Sequence, residues 1–149
     1  MCAICNGKTY EDVLDDLDQF VRRHGWAVQG VEGRRPWVYT IGLAERFAHA
    51  ELVMAGVDIS LAMNALNALG TMVATGEVLA PGRPEVRVCE TEVAFGTVHP
   101  VHIANGLVGM WEALYVDKRQ VEPPSLEVVQ VLPLPGRRLP LDVPYTSLD

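Results

Sequence analysis

The sequence predicts an α+β fold: one domain over residues 1–149, with a mixed or antiparallel sheet and its helices packed on one face. Three observations carry this expectation. The elements read along the chain in the order α-β-β-β-α-β-α-β, mixing hairpin-linked strands with helices rather than alternating them. The 149 residues match the usual size of one domain, and no internal repeat or linker divides them. No Gly-rich phosphate loop follows a strand, so neither a dinucleotide fingerprint nor a Walker loop marks a doubly wound parallel sheet.

The first helix is expected over Thr9 to His24. Thr9 caps it and Asp12, three positions on, completes an acidic form of the capping box. Val13, Leu14, Leu17, Phe20 and Val21 recur at three- and four-residue spacing, and acids crowd its start and Arg22 and Arg23 its end, as the helix dipole favours. Gly25 supplies the stop. Trp26 to Val31 and Trp37 to Leu43 read as a hairpin across the turn-rich Glu32-Gly33-Arg34-Arg35-Pro36, with Trp37, Tyr39 and Ile41 on one face. Trp26 and Trp37 read as cross-strand packing. Glu51 to Val57, mostly apolar, reads as a central strand.

Asp58 or Ser60 can cap the next helix, which carries Leu61, Ala65, Leu66, Leu69, Met72 and Val73 and stops at Gly76. A strand follows over Glu85 to Val93, containing Cys89 and placing Glu90 and Glu92 on one face. A helix is expected from about Val101 to Tyr115, although Gly106 and Gly109 each cost ~1 kcal/mol relative to Ala inside a helix. Ser125 to Leu132 is the last strand. Residues 133–149 contain four prolines and read as an extended arm.

Hydrophobic residues make up 49% of the chain and charged ones 21%, a globular balance. The net charge of −7 argues against nucleic acid as a partner, since phosphate binding needs clustered Lys and Arg. The pairs Arg22-Arg23, Arg34-Arg35 and Arg137-Arg138 read as solvated helix ends or loops. No apolar stretch approaches the ~20 residues that span a bilayer. Met1 to Lys8 has neither a basic n-region nor an apolar h-region, so no signal peptide and a cytoplasmic location are expected. Three cysteines in such a chain do not make a disulfide framework.

The sharpest chemical signal is Cys2-x-x-Cys5 in the N-terminal segment 1–8, two thiols at a spacing that can bite one zinc ion. His24, His49, His99 and His102 are the candidates to complete the site, and His99 and His102, three apart at a helix start, are the attractive pair. A single Cys pair without a second is also what two idle thiols at a chain end look like.

The second signal is the strand end at Tyr39, Thr40 and Gly42, followed by His49. A phenol, a hydroxyl, a glycine and an imidazole grouped there suit a small-ligand pocket. His49 or His102 could serve as a general base, with Tyr39 beside them. The plainer reading makes His49 a loop histidine satisfying backbone groups, and Tyr39 and Thr40 cover for a half-buried sheet. No G-x-S-x-G elbow or H-E-x-x-H helix points to a known catalytic class. The leading expectation is therefore a small-ligand- or metal-binding accessory protein. The alternatives are a small hydrolase or isomerase acting on a metabolite, or an immunity or protein-interaction module. The high apolar content around Val53, Met54, Ala55 and Leu61 to Val73 also raises a homodimer, closed through an edge strand or the proline-rich arm.

Several segments together resemble one bacterial family, domain of unknown function 4262. They are the capped first helix, His24-Gly25-Trp26, Val28-Gln29-Gly30-Val31, Trp37-Val38-Tyr39-Thr40-Ile41-Gly42-Leu43, His49-Ala50-Glu51-Leu52, and the last strand followed by Gly136-Arg137-Arg138-Leu139-Pro140. The start Met1-Cys2-Ala3-Ile4-Cys5-Asn6 is similar to the Cys-pair opening of actinobacterial members. Two departures from the family stand out: Ala50 stands where members usually have proline, and Leu132-Pro133-Leu134 where many have Trp-Pro-Asp. The resemblance implies a small bacterial cytoplasmic domain and carries over no catalytic residue.

Overall fold

A computed structural model describes residues 7–119, 121–134 and 139–144. Helix α1 spans Tyr10–His24, and its first turn is closed as the sequence predicts. The Thr9 side chain accepts from the Asp12 amide, and the Asp12 carboxylate accepts from the Thr9 amide, both at 3.1 Å. Strands β1 (Ala27–Val31) and β2 (Trp37–Ile41) form the expected hairpin, with Gln29 opposite Tyr39 and Val31 opposite Trp37. A five-residue helix, α2 (Leu43–Phe47), leads into β3 (Glu51–Ala55), and α3 (Ile59–Ala74) follows with Asp58 as its cap.

One six-stranded sheet results, in the order β1-β2-β3-β6-β5-β4, where β4 is Val86–Val88, β5 Thr91–Thr97 and β6 Val128–Leu134. It is mixed, because β3 runs parallel to β6 and the other neighbours are antiparallel. The α+β class and the mixed sheet therefore stand.

The helices do not keep to one face. Strand alternation sends Val38, Leu52, Met54, Val93 and Val131 to a layer filled by Ala62, Leu66, Leu69 and Val73 of α3. It sends Tyr39, Ile41, Val53 and Ala55 to a second layer with Val21 of α1 and Leu107, Trp111 and Leu114. A central strand with every residue buried, as β3 is, needs cover on both faces. Truncating Leu66 or Leu69, both fully buried, would cost about 2–5 kcal/mol. The two tryptophans split in the same way. Trp26 lies with the α3 layer and donates to Asn67 Oδ1 at 3.1 Å, while Trp37 lies with the other and donates to the Leu107 carbonyl at 2.9 Å. They are not a cross-strand pair.

Two further expectations change. The strand over Glu85 to Val93 is a hairpin, because Cys89 and Glu90 take left-handed backbone angles (φ 49° and 63°) and turn the chain between β4 and β5. Glu90 thus sits in a turn, away from the strand face that holds Glu92. The helix over Val101 to Tyr115 breaks into α4 (Pro100–Ala104), α5 (Gly109–Glu112) and a π-helical turn, Ala113–Lys118. Gly106, at φ 94°, ends α4 and lets the chain re-enter as α5.

The C-terminal arm begins later than expected, since Pro133 and Leu134 still pair with β5 as the end of β6, and its residues 139–144 pack on their own chain. The buried Gln130 amide donates to the Leu139 carbonyl at 2.6 Å and accepts from the Leu141 amide at 2.8 Å, and Leu141 is fully buried.

Candidate functional site

At the amino end of β3, Glu51 is wholly buried and receives five hydrogen bonds. Its Oε1 accepts from Thr40 Oγ1 at 2.8 Å and the Leu43 amide at 3.2 Å. Its Oε2 accepts from the amides of Gly42 at 3.0 Å and Ala44 at 3.2 Å and from Trp111 Nε1 at 2.9 Å. The same Thr40 oxygen accepts from the Leu52 amide at 2.9 Å, so the hydroxyl bridges the carboxylate and the β3 backbone. The carboxylate therefore closes the orphan amides of α2 and ties β2, β3 and α5 together. Gly42 permits this: its φ is 124°, and a Cβ would stand 2.6 Å from the Gly25 carbonyl oxygen. Burial pushes the Glu51 carboxyl above its ordinary pKa, while the bonds from Thr40, Ala44, Gly42 and Trp111 pull it back. All five donors are neutral, so the ionised oxygen pair is satisfied by dipoles alone.

Beside it lies an ion network. Arg119, its side chain only 7% exposed, donates from Nε and Nη2 to Asp18 Oδ1 at 3.0 and 2.7 Å and pairs through Nη1 with Glu45. Tyr115 donates to Glu45 Oε1 at 3.0 Å, and the guanidinium sits 5.0 Å above its ring. Burial works against ionisation of Asp18, yet Arg119 and Arg22 outweigh it and hold that carboxyl below its usual range. Burial likewise raises the Tyr39 and Tyr115 phenols.

The four residues expected to form one pocket separate. Thr40 and Gly42 meet on Glu51. The Tyr39 hydroxyl instead accepts from the Met110 amide at 2.8 Å, at the start of α5. His49 turns toward the segment after α3: Nδ1–H donates to the Ala50 carbonyl at 2.7 Å, and Nε2 accepts from the Leu79 amide at 2.9 Å. This pins the 77–81 segment to the entry of β3 and borders a cavity of about 310 Å³. It is lined by the buried Val73, Leu79 and Val129, by Phe47 and His49, and by Glu77 and Glu127.

Of the expected metal set, Cys2 and Cys5 lie outside the described residues. His99 Nδ1 accepts from the Val101 amide at 3.2 Å and caps α4, and the buried His102 donates from Nε2 to the Val143 carbonyl at 2.7 Å. Among the described residues no three His, Cys, Asp or Glu side chains stand where they could share a metal ion. None of their helices is long and apolar enough to cross a membrane.

Sequence reasoning missed Glu51 as a centre and missed Gln130 and Arg119 altogether. A signal for Glu51 existed: it is the one charged residue at the head of a strand that reads as buried on both faces. Arg119 and Gln130 had no such mark, since their partners lie 101 and 9 or 11 residues away.

The model of one protein family, described as domain of unknown function (DUF4262), matches residues 20–142. The chain belongs to that family. No curated protein and no solved structure matches it.

Proposed function

We propose that this DUF4262 chain is a small-ligand-binding accessory protein of the bacterial cytoplasm, and that the ligand seats in the cavity beside His49. The observation that carries the reading is that both imidazole nitrogens are bonded to backbone groups that build the cavity wall. Nε2, the nitrogen without a proton, accepts from Leu79, so the ring is held as a strut rather than presented as a base. That weighs against the acid–base enzyme with His49 as its base. His102 carries its Nε2 proton into a bond with Val143 and is buried, which weighs against it in the same role. A volume of about 310 Å³ lined in part by Val73, Leu79 and Val129 suits a small metabolite. Self-association would use an outer strand of the sheet, since 139–144 lie against their own core.

Ligand-observed NMR with a metabolite library tests the reading. Binders should lose contact with Ala80→Trp, which fills the cavity from its edge, and weaken with His49→Ala, which frees the Leu79 segment. Binders that ignore both substitutions, or a library that yields none, would set the reading aside.

A further inference from the structure

We propose that β1 is an interface strand, and that its partner is β1 of a second copy, run antiparallel about a two-fold axis at Gln29. Self-association through an outer strand is thereby assigned to one edge, independently of the His49 cavity. The hydrogen-bond directions in the sheet carry the assignment. The Gly56 amide donates to the Pro36 carbonyl at 3.1 Å and the Leu52 amide turns to Thr40, so the even-numbered residues of β2 face β3. Trp37, Tyr39 and Ile41 then face β1, opposite Val31, Gln29 and Ala27. The N–H and C=O groups of Val28 and Gly30 therefore point out of the sheet. Among the described residues these groups take one hydrogen bond, from Gln29 Nε2 to the Gly30 carbonyl at 3.0 Å.

The two edges of the sheet differ. β4 is three residues long, follows Pro84 closely and carries Arg87 at its centre, all of which guard an edge against strand pairing. β1, Ala-Val-Gln-Gly-Val, has five residues with no charge and no proline. The neutral surface continues onto α3, whose 16 residues include no charged side chain, although Ser60, Leu61, Asn64, Asn67 and Thr71 are exposed. By contrast α1, at 15 residues, carries five acids and two arginines. Surfaces that stay in water are rich in charge, and the centres of interfaces are depleted of it. α3 also lies against the open edge: a Cβ at Gly30 would stand 3.3 Å from Ile59 Cγ2 and Met63 Cε.

Charge and register together select a second copy as the occupant. Each chain carries −7, so two copies repel unless they meet where neither has acids, and a basic partner would find no counter-charge on this surface. With Gln29 on the axis, Val28 stands opposite Gly30 of the second copy, and each outward N–H meets an outward C=O. The valine side chain then lies where the facing strand has none, next to Ile59 and Met63. The Gln29 amide, which covers the Gly30 carbonyl in the single chain, gives way to a backbone amide. A five-residue strand alone falls short of the ~800 Å² that each partner of a stable complex buries, and the neutral side of α3 supplies the rest.

Sedimentation velocity and amide hydrogen exchange on the full chain test this. At tens of micromolar the protein should sediment at twice the 16.3 kDa chain mass, and the Val28 and Gly30 amides, which point away from the single chain's own sheet, should exchange slowly. Val28→Pro removes an N–H that the single chain does not use, so it should fold and sediment as one chain. Ser60→Glu lies on the β1 side of α3 with Met63 and Asn67 and sets two negative charges against each other across the axis. It should also sediment as one chain, while an acid in the first turn favours the helix itself. Val28→Thr keeps the N–H and the branched shape and should stay dimeric. Far-UV circular dichroism checks the fold of each variant, and Ser60→Glu with the exchange readout decides if Val28→Pro does not fold. A parent that sediments at one chain mass, a dimer that survives Ser60→Glu and Val28→Pro, or a dimer in which both amides exchange fast would each overturn the proposal. Ligand binding at the His49 cavity is read by its own NMR screen and stands or falls separately.

Discussion

The Trp111 indole donates to the Glu51 carboxylate at 2.9 Å, across 60 residues of sequence and inside the layer that α1 shares with the sheet. This bond carries the strand end at Gly42 to Ala44 over to α5, whose first amides are met by the Tyr39 hydroxyl. The short helices α2 and α5 have little stability of their own at five and four residues, well under the length at which isolated helices persist. They are held by polar bonds to the sheet.

Glu51→Ala should therefore cost more than an ordinary surface change, about 3 kcal/mol or more, because it strands five buried donors. Glu51→Gln should fall between the two. It keeps the shape but turns an NH2 toward groups that also donate, so one oxygen's partners lose their acceptor. Urea denaturation of the three proteins measures the order. A loss below about 1 kcal/mol for the alanine variant would mean that water replaces the carboxylate.

Acid should separate two carboxyls that look alike in the sequence. Burial raises the Glu51 carboxyl in the fold, so between its unfolded and folded values the folded state holds the extra proton. Its contribution then favours the fold at the acid end of that window and declines as pH rises through it. Asp18 is shifted down by Arg119 and Arg22, so its stabilisation is present above its unfolded value and is lost as pH falls through the folded one. In denaturation series across the acid range, Asp18→Asn should flatten the acid-side loss, and Glu51→Gln should remove the opposing slope. Identical profiles for both variants would refute the assignment.

Much of the backbone was legible because its signals are local. The Thr9–Asp12 capping box, the Gly25 stop, the 32–36 hairpin loop and the Asp58 cap each lie within a few residues of what they control. Where the reading failed, the cause was at a distance or in the backbone. The Cys89-Glu90 turn uses left-handed angles on residues that do not advertise them. The two-sided cover of the sheet depends on which layer α1 and α5 join. The candidate pocket was half legible: Thr40 and Gly42 do converge, but on Glu51, while His49 is drawn away by Leu79, 30 residues further on.

Arg119 should resist conservative replacement. Its fork reaches Asp18 with two nitrogens and Glu45 with the third, and its plane lies on Tyr115. Lysine restores the charge but neither the fork nor the stacking surface. Arg119→Lys and Arg119→Ala should both destabilise, by about 1 and about 2 kcal/mol, values reduced for the partial exposure of Glu45. A lysine variant as stable as the parent would show that charge alone holds α1 to the π-helical turn.

Gln130 should govern the arm. Its side chain acts as a strand partner for 139–141, offering a donor to Leu139 and an acceptor to Leu141. Gln130→Leu keeps the volume and removes both bonds, leaving a buried amide and a carbonyl without their partner at a cost of about 1–3 kcal/mol. Gln130→Glu keeps the acceptor for Leu141 but sets an oxygen against the Leu139 carbonyl, so it should release the arm at 139 before 141. Hydrogen exchange at the Leu141 amide reads the difference: faster in both variants, and faster in Leu than in Glu. The His99 amide, which donates to the Leu141 carbonyl at 2.6 Å, should follow the same order if the arm moves as one piece. Unchanged exchange at Leu141 in Gln130→Leu would show that burial of the Leu141 side chain holds the arm without the glutamine.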